Sequence, residues 1–104
     1  MSERYWKLNK DLQPVRCTIK EWGNQRVGYE NNIVDQTAVG DFWISTVFLG
    51  LDHNFSGSGL PHLWETLVVK DGNYTDAELE RCGGDWWDAT LMHLKMVKKV
   101  RDSQ

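Results

Sequence analysis

Between Asp41 and Lys70 the chain reads Asp-Phe-Trp-Ile-Ser-Thr-Val-Phe-Leu-Gly-Leu-Asp-His-Asn-Phe, then a loop of alternating serine and glycine, then Leu-Trp-Glu-Thr-Leu-Val-Val-Lys. Two runs this rich in β-branched and aromatic residues, split by a polar loop, are predicted to pair as adjacent strands. Alternation assigns their faces. In the first strand, Phe42 to Gly50, one side holds Phe42, Ile44, Thr46 and Phe48. The other holds Trp43, Ser45, Val47 and Leu49. Both sides are largely apolar, so the strand is either covered on both faces or has one face in an interface. The partner strand, His62 to Val69, places Trp64, Thr66 and Val68 on one face and Leu63, Glu65, Leu67 and Val69 on the other. With Gly50 near His62, Thr46 falls opposite Thr66 and Val47 opposite Glu65.

The flanking segments are consistent with a small mixed fold. Tyr5 to Leu8 reads as a short strand, and Pro14 confines Val15 to Cys17 to an edge strand or an extended lead-in. Thr18 and Glu21 fit a capping box opening a helix from Ile19 to about Gln25, which Gly23 weakens. Arg26 to Glu30 and Ile33 to Val39 read as strands around an Asn31-Asn32 turn. After the turn at Asp71-Gly72-Asn73, Thr75 to Cys82 fits a capped helical turn or an edge strand, and Gly83-Gly84 ends it. From Asp85 a helix is predicted, with Trp86, Ala89, His93, Met96, Val97 and Val100 on one face and Asp88, Lys95, Lys99 and Asp102 on the opposite one. Trp87, Leu91 and Leu94 widen the apolar stripe, either toward a partner or under the long loop. The expected fold is α+β: a mostly antiparallel sheet packed by a long C-terminal helix, with a short N-terminal helix at an edge.

At 104 residues the chain is expected to form one domain, residues 1–104. Six tryptophans can fill a small core efficiently or line a binding surface. A net charge of −3 argues against non-specific nucleic-acid binding. Lys95, Lys98, Lys99 and Arg101 read as cations at the negative end of a helix. The first residues lack the apolar core of a secretory leader, and no apolar run is long enough to span a bilayer, so a cytoplasmic protein with no membrane partner is expected. Cys17 and Cys82 have no metal or redox spacing and are expected as reduced thiols, the alternative being one disulfide between them. There is no P-loop, nucleophile elbow or dinucleotide fingerprint, and no cofactor is expected.

Two constellations could carry chemistry. Asp52, His53 and His62 bracket the loop and could act as acid–base groups or hold a metal; the simpler alternative has Asp52 capping backbone N–H groups. Glu65, near the hydroxyls of Thr46 and Thr66, could hold an amine, a base edge or a partner arginine, with Trp43 or Trp64 stacking beside it. Alternatively Glu65 pairs inside the fold. His93, in the apolar stripe, is a core histidine or, if the helix lies on the Glu65 face, that carboxylate's partner. Ser56-Gly57-Ser58-Gly59 could cradle an anion but has no accompanying lysine or helix, and reads as a loop.

Tyr5-Trp6-Lys7-Leu8 with Pro14-Val15-Arg16-Cys17, the core Ile44-Ser45-Thr46-Val47-Phe48-Leu49-Gly50-Leu51-Asp52-His53-Asn54-Phe55, and Leu63-Trp64-Glu65-Thr66-Leu67-Val68 together resemble a family of small phage- and prophage-encoded proteins of uncharacterised function. That family has an aromatic-Trp-Lys-Leu opening, a Ser-Thr-Val-aromatic-Leu-Gly-Leu-Asp-His core, a Phe-Glu-Thr-Met strand and a helix histidine where His93 stands. This chain departs from it at Ser56 to His62, where a Gly-rich, Pro-Pro segment is usual, and at Gly83-Gly84. The resemblance implies a phage product acting in the bacterial cytoplasm and no established reaction. The leading expectation is therefore a non-enzymatic binding protein. It would interfere with a host factor, or sequester a nucleotide-like defence ligand, through Trp43, Thr46, Asp52, His53, Trp64, Glu65, Thr66 and His93. The alternatives are a small metal-assisted or acid–base enzyme using Asp52, His53 and His62, and a homo-oligomeric structural or assembly protein.

Overall fold

The structure, a computed structural model, describes residues 4–27, 32–56 and 58–104, with the backbone alone at 25–27 and 73–77. Its elements are β1 (Trp6–Leu8), β2 (Pro14–Arg16), α1 (Ile19–Val27), β3 (Ile33–Val39), β4 (Phe42–Phe48), β5 (Trp64–Lys70), β6 (Asn73–Cys82) and α2 (Trp86–Asp102). Strands β3 to β6 form an antiparallel meander in the order β3-β4-β5-β6, and β1 pairs with β2 in a separate two-stranded sheet. The α+β architecture expected from the sequence is the one observed.

Turn chemistry sets the meander. Asp71 and Gly72 both have positive φ (53° and 73°), the pairing a two-residue hairpin of primed type requires. Between β4 and β5 the register matches Thr46 with Thr66 and Val47 with Glu65, as the loop length implied. Thr75 to Cys82 is edge strand, because the tight turn returns the chain directly alongside β5. The expected strand from Arg26 to Glu30 needs correction. Arg26 and Val27 belong to α1, since the box in which Glu21 N–H donates to Thr18 Oγ1 and Thr18 N–H to Glu21 nucleates a helix that Gly23 does not stop. The rest of that segment, with Asn31, lies outside the described residues.

Helix α2 crosses one face of the meander. Its first turn is closed by a capping box in which Asp85 and Asp88 each accept the other's backbone N–H. Gly84 precedes it at φ 87°, where any Cβ would strike the Asp88 carboxylate. The helix buries Ala89, Met92, His93, Met96, Val97 and Val100. Under it lie two apolar clusters. One joins Ile44, Val68, Met96, Val97 and Val100, with Val39 and Phe42 at its margin. The other joins Phe48, Leu63, Trp64, Ala89 and Met92, with Trp6, Trp86 and Cys82 around them. Trp64 is fully buried, donates its indole N–H to Gly84 O at 2.9 Å, and meets Phe48 and Trp86 edge-on.

The N-terminal sheet and α1 attach at the far end of β4. Trp6 N–H donates to Gly50 O at 2.7 Å, Trp22 Nε1–H to Leu49 O at 3.1 Å, and Tyr5 bridges Leu51. Gly50, at φ 73°, leaves no room for a side chain: a Cβ there would sit 2.6 Å from Trp6 O and 2.8 Å from Trp22 Nε1.

Candidate functional site

The structure brings together three of the sequence-predicted residues in a single buried group. Thr46, Thr66 and His93 form a polar layer between the two apolar clusters. His93 Nδ1 lies 2.7 Å from Thr46 Oγ1, and that oxygen lies 2.5 Å from Thr66 Oγ1. His93 Nε2 meets Thr37 Oγ1 of β3 at 2.8 Å, with the partly exposed Asp35 carboxylate 3.8 Å away. The nearby anion favours a proton on Nε2, which then donates to Thr37. Nδ1 in turn accepts from the Thr46 hydroxyl, and Thr46 accepts from Thr66. Every buried polar atom of this layer is thus satisfied, and one side chain of α2 is tied to β3, β4 and β5. Burial pushes the His93 pKa below its ordinary value, and Asp35 opposes this.

A carboxylate, an imidazole and a hydroxyl in that order could activate a nucleophile. Here Thr46 and Thr66 have 0% exposure and His93 1%, so no substrate reaches the hydroxyl. The layer holds the fold together. Trp64, expected as a stacking platform, is equally sealed in the core.

Asp52, His53 and His62 sit on the connection from β4 to β5. Asp52 Oδ1 accepts the backbone N–H of Asn54 at 2.8 Å and of His62 at 3.0 Å, so this carboxylate is occupied in shaping the loop. His53 Nδ1 lies 2.7 Å from Leu51 O and can only donate to it, and the ring packs edge-on to Phe55. Asn54 and Ser56 close the turn by bonding to Ser58 O and Leu60 O; Gly57 lies outside the described residues. Among the described residues, no three His, Cys, Asp or Glu side chains converge at metal-binding range.

Glu65 and Trp43 lie on the sheet face turned away from α2, so Glu65 and His93 do not meet. Glu65 accepts from Arg81 Nε of β6 at 3.0 Å. Around this pair, Trp43, Val47 and the cross-strand pair Leu67–Leu79 make a largely apolar surface, while Val69, opposite Trp43, is itself buried. Trp43 is 44% and Leu79 45% exposed, and no described element packs across them. The two-sided apolar pattern of β4 therefore has one face in the core and the other open. Leu79 and Arg81 are not among the residues expected at a site, because Thr75 to Cys82 fits helix and strand alike; their alternation after the Asp71-Gly72 turn is the signal that places them beside Leu67 and Glu65.

A groove of about 480 Å³ runs between β6 and α2, with Leu60, Cys82, Leu91, Met92 and Met96 among its walls and Lys95 and Lys99 at its rim. Burial, with Asp88 and Glu80 nearby, pushes the Cys82 thiol up to about 11, so it stays protonated at neutral pH. Both cysteines are free. No helix among the described residues is long and apolar enough to cross a membrane. No protein-family model matches the chain, and no match was found among curated proteins or solved structures.

Proposed function

We propose that the chain is a non-enzymatic binding protein, phage-encoded and acting in the bacterial cytoplasm, that engages a host protein through the open face of its sheet. The carrying observation is that face itself. A half-exposed tryptophan, an arginine paired with a glutamate, and flanking Val47, Leu67 and Leu79 occupy a rigid four-stranded platform. Aromatic and arginine anchors amid apolar neighbours are the composition of interface centres. An uncovered apolar patch of this kind on a small domain calls for a partner. The phage origin rests on the sequence resemblance.

A protein partner fits better than a nucleotide-like ligand. Thr46, Thr66, Trp64 and His93 are closed to ligands, and the groove between β6 and α2 contains none of the residues expected to read a nucleotide. The acid–base or metal-assisted reading keeps only Asp52, His53 and His62, and Asp52 already serves two backbone donors. Affinity capture from bacterial lysate tests the proposal, with calorimetric titration of cyclic and linear nucleotides alongside. The wild type is expected to retain a discrete protein that Trp43→Glu loses and Leu94→Glu keeps, both variants being folded by circular dichroism. Saturable nucleotide binding, or capture indifferent to Trp43, would overturn it.

A further inference from the structure

Helix α2 has a second apolar stripe, opposite the one that packs on the sheet. Trp87, Leu91 and Leu94 are 63%, 38% and 53% exposed, and Lys98 continues the line. Their spacing of four, three and four residues is the seam of a two-helix coiled-coil contact. Leu60, 65% exposed, stands beside the stripe and shares a groove wall with Leu91. Leu91 walls that groove and Lys98 pairs with Asp102 at 2.6 Å, while Trp87 and Leu94 belong to neither apolar cluster under the helix.

We propose that this stripe is a self-association surface, on which a second copy of the chain packs its own α2 in antiparallel orientation. The charges select both occupant and direction. Antiparallel packing about a two-fold axis between Leu91 and Leu94 sets Leu91 against the partner copy's Leu94. It sets Trp87 against the stem and ammonium of Lys98, a favourable cation–aromatic contact. Asp88 and Lys95, which flank the seam on one side, then face each other across it with opposite sign. Lys95 has no ion-pair partner among the described residues, so the contact supplies one. A parallel pair would instead stack Lys98 on Lys98 and lose the Asp88–Lys95 match. The surface is separate from the open sheet face, so the dimer leaves the proposed host-binding platform free.

Sedimentation equilibrium from about 10 µM to 1 mM is the first test, since a contact this small is expected to associate in the range of about 100 µM. The weight-average mass should rise toward twice that of one chain. The double variant Leu91→Glu with Leu94→Glu, shown to be folded by circular dichroism because Leu91 also walls the groove, should stay monomeric throughout. Lys95→Glu should weaken association about three-fold or more. Orientation is read by cross-linking in a Cys17→Ala, Cys82→Ala background. In the antiparallel pair the two copies' positions 87 are offset by about 16 Å along the axis, beyond disulfide reach. Chains carrying Trp87→Cys should therefore cross-link to chains carrying Lys98→Cys and not to themselves. A wild type monomeric at 1 mM, an association unmoved by the double variant, or efficient self-cross-linking at position 87 would each overturn the proposal.

Discussion

Under α2, the face of the meander alternates apolar residues with the threonines that hold His93, and most of it is shielded from water. The opposite face carries an equally apolar run along β4 and β5, yet Trp43 and Leu79 stand nearly half exposed and Glu65 pairs with Arg81 of a neighbouring strand. Hydrophobic content does not distinguish the faces. Whether an element lies across them does. The covered face should therefore carry the stability of the fold, and the uncovered face should tolerate change while its binding suffers.

The largest effect expected from that contrast is at Trp64. Trp64→Ala removes a fully buried ring and its hydrogen bond, and should cost about 4 kcal/mol in urea unfolding. Trp43→Ala, the same truncation on the other face, should cost under about 1 kcal/mol; equal losses would break the comparison. Next comes His93→Ala, expected to cost about 3 kcal/mol because it leaves a void and strips Thr37 and Thr46 of their common partner.

Acidity sharpens the contrast further. The His93 pKa lies below the ordinary 6.5, so the unfolded chain takes up that proton more readily than the folded one. The stability this represents is complete above about pH 6.5 and is lost as pH falls through the lower, folded value. Unfolding midpoints should fall between pH 7 and pH 5 in the wild type and change less in His93→Gln. Glu21, held at about 2 by Lys7 and Thr18, contributes stability that begins to be lost only below its ordinary 4.5. The smallest effect belongs to the open face: Glu65→Gln should change stability by under about 0.5 kcal/mol, as expected for one partner of a partly exposed pair.

Much of this division was readable beforehand. Alternation along Phe42–Phe48 and Trp64–Lys70 fixed which side chains share a face, and the register of Thr46 with Thr66 followed from the loop ends. The periodicity of α2 placed His93 inward. What alternation cannot specify is which of two apolar faces a helix will cover. Glu65 made its own face look like the one needing a buried partner, whereas α2 settled where Thr46 and Thr66 offered His93 two hydroxyls and Glu65 found Arg81 on β6. The candidate site was legible only as residue types: Asp52 served backbone donors that no side-chain pattern announces.

The close fit at Gly50 has a wider consequence. Besides the packing of Trp6 and Leu8 on the Phe48 cluster and the contacts of Arg4 with Asp52 and Phe55, the first third of the chain is fastened to the rest through the backbone around residues 49–51 and the Trp22 indole, at a spot where even a methyl group has no space. Gly50→Ala should therefore act as a wedge. It would release β1, β2 and α1 as a tethered arm open to proteolysis and rapid amide exchange, while the four-stranded platform and α2 stay assembled.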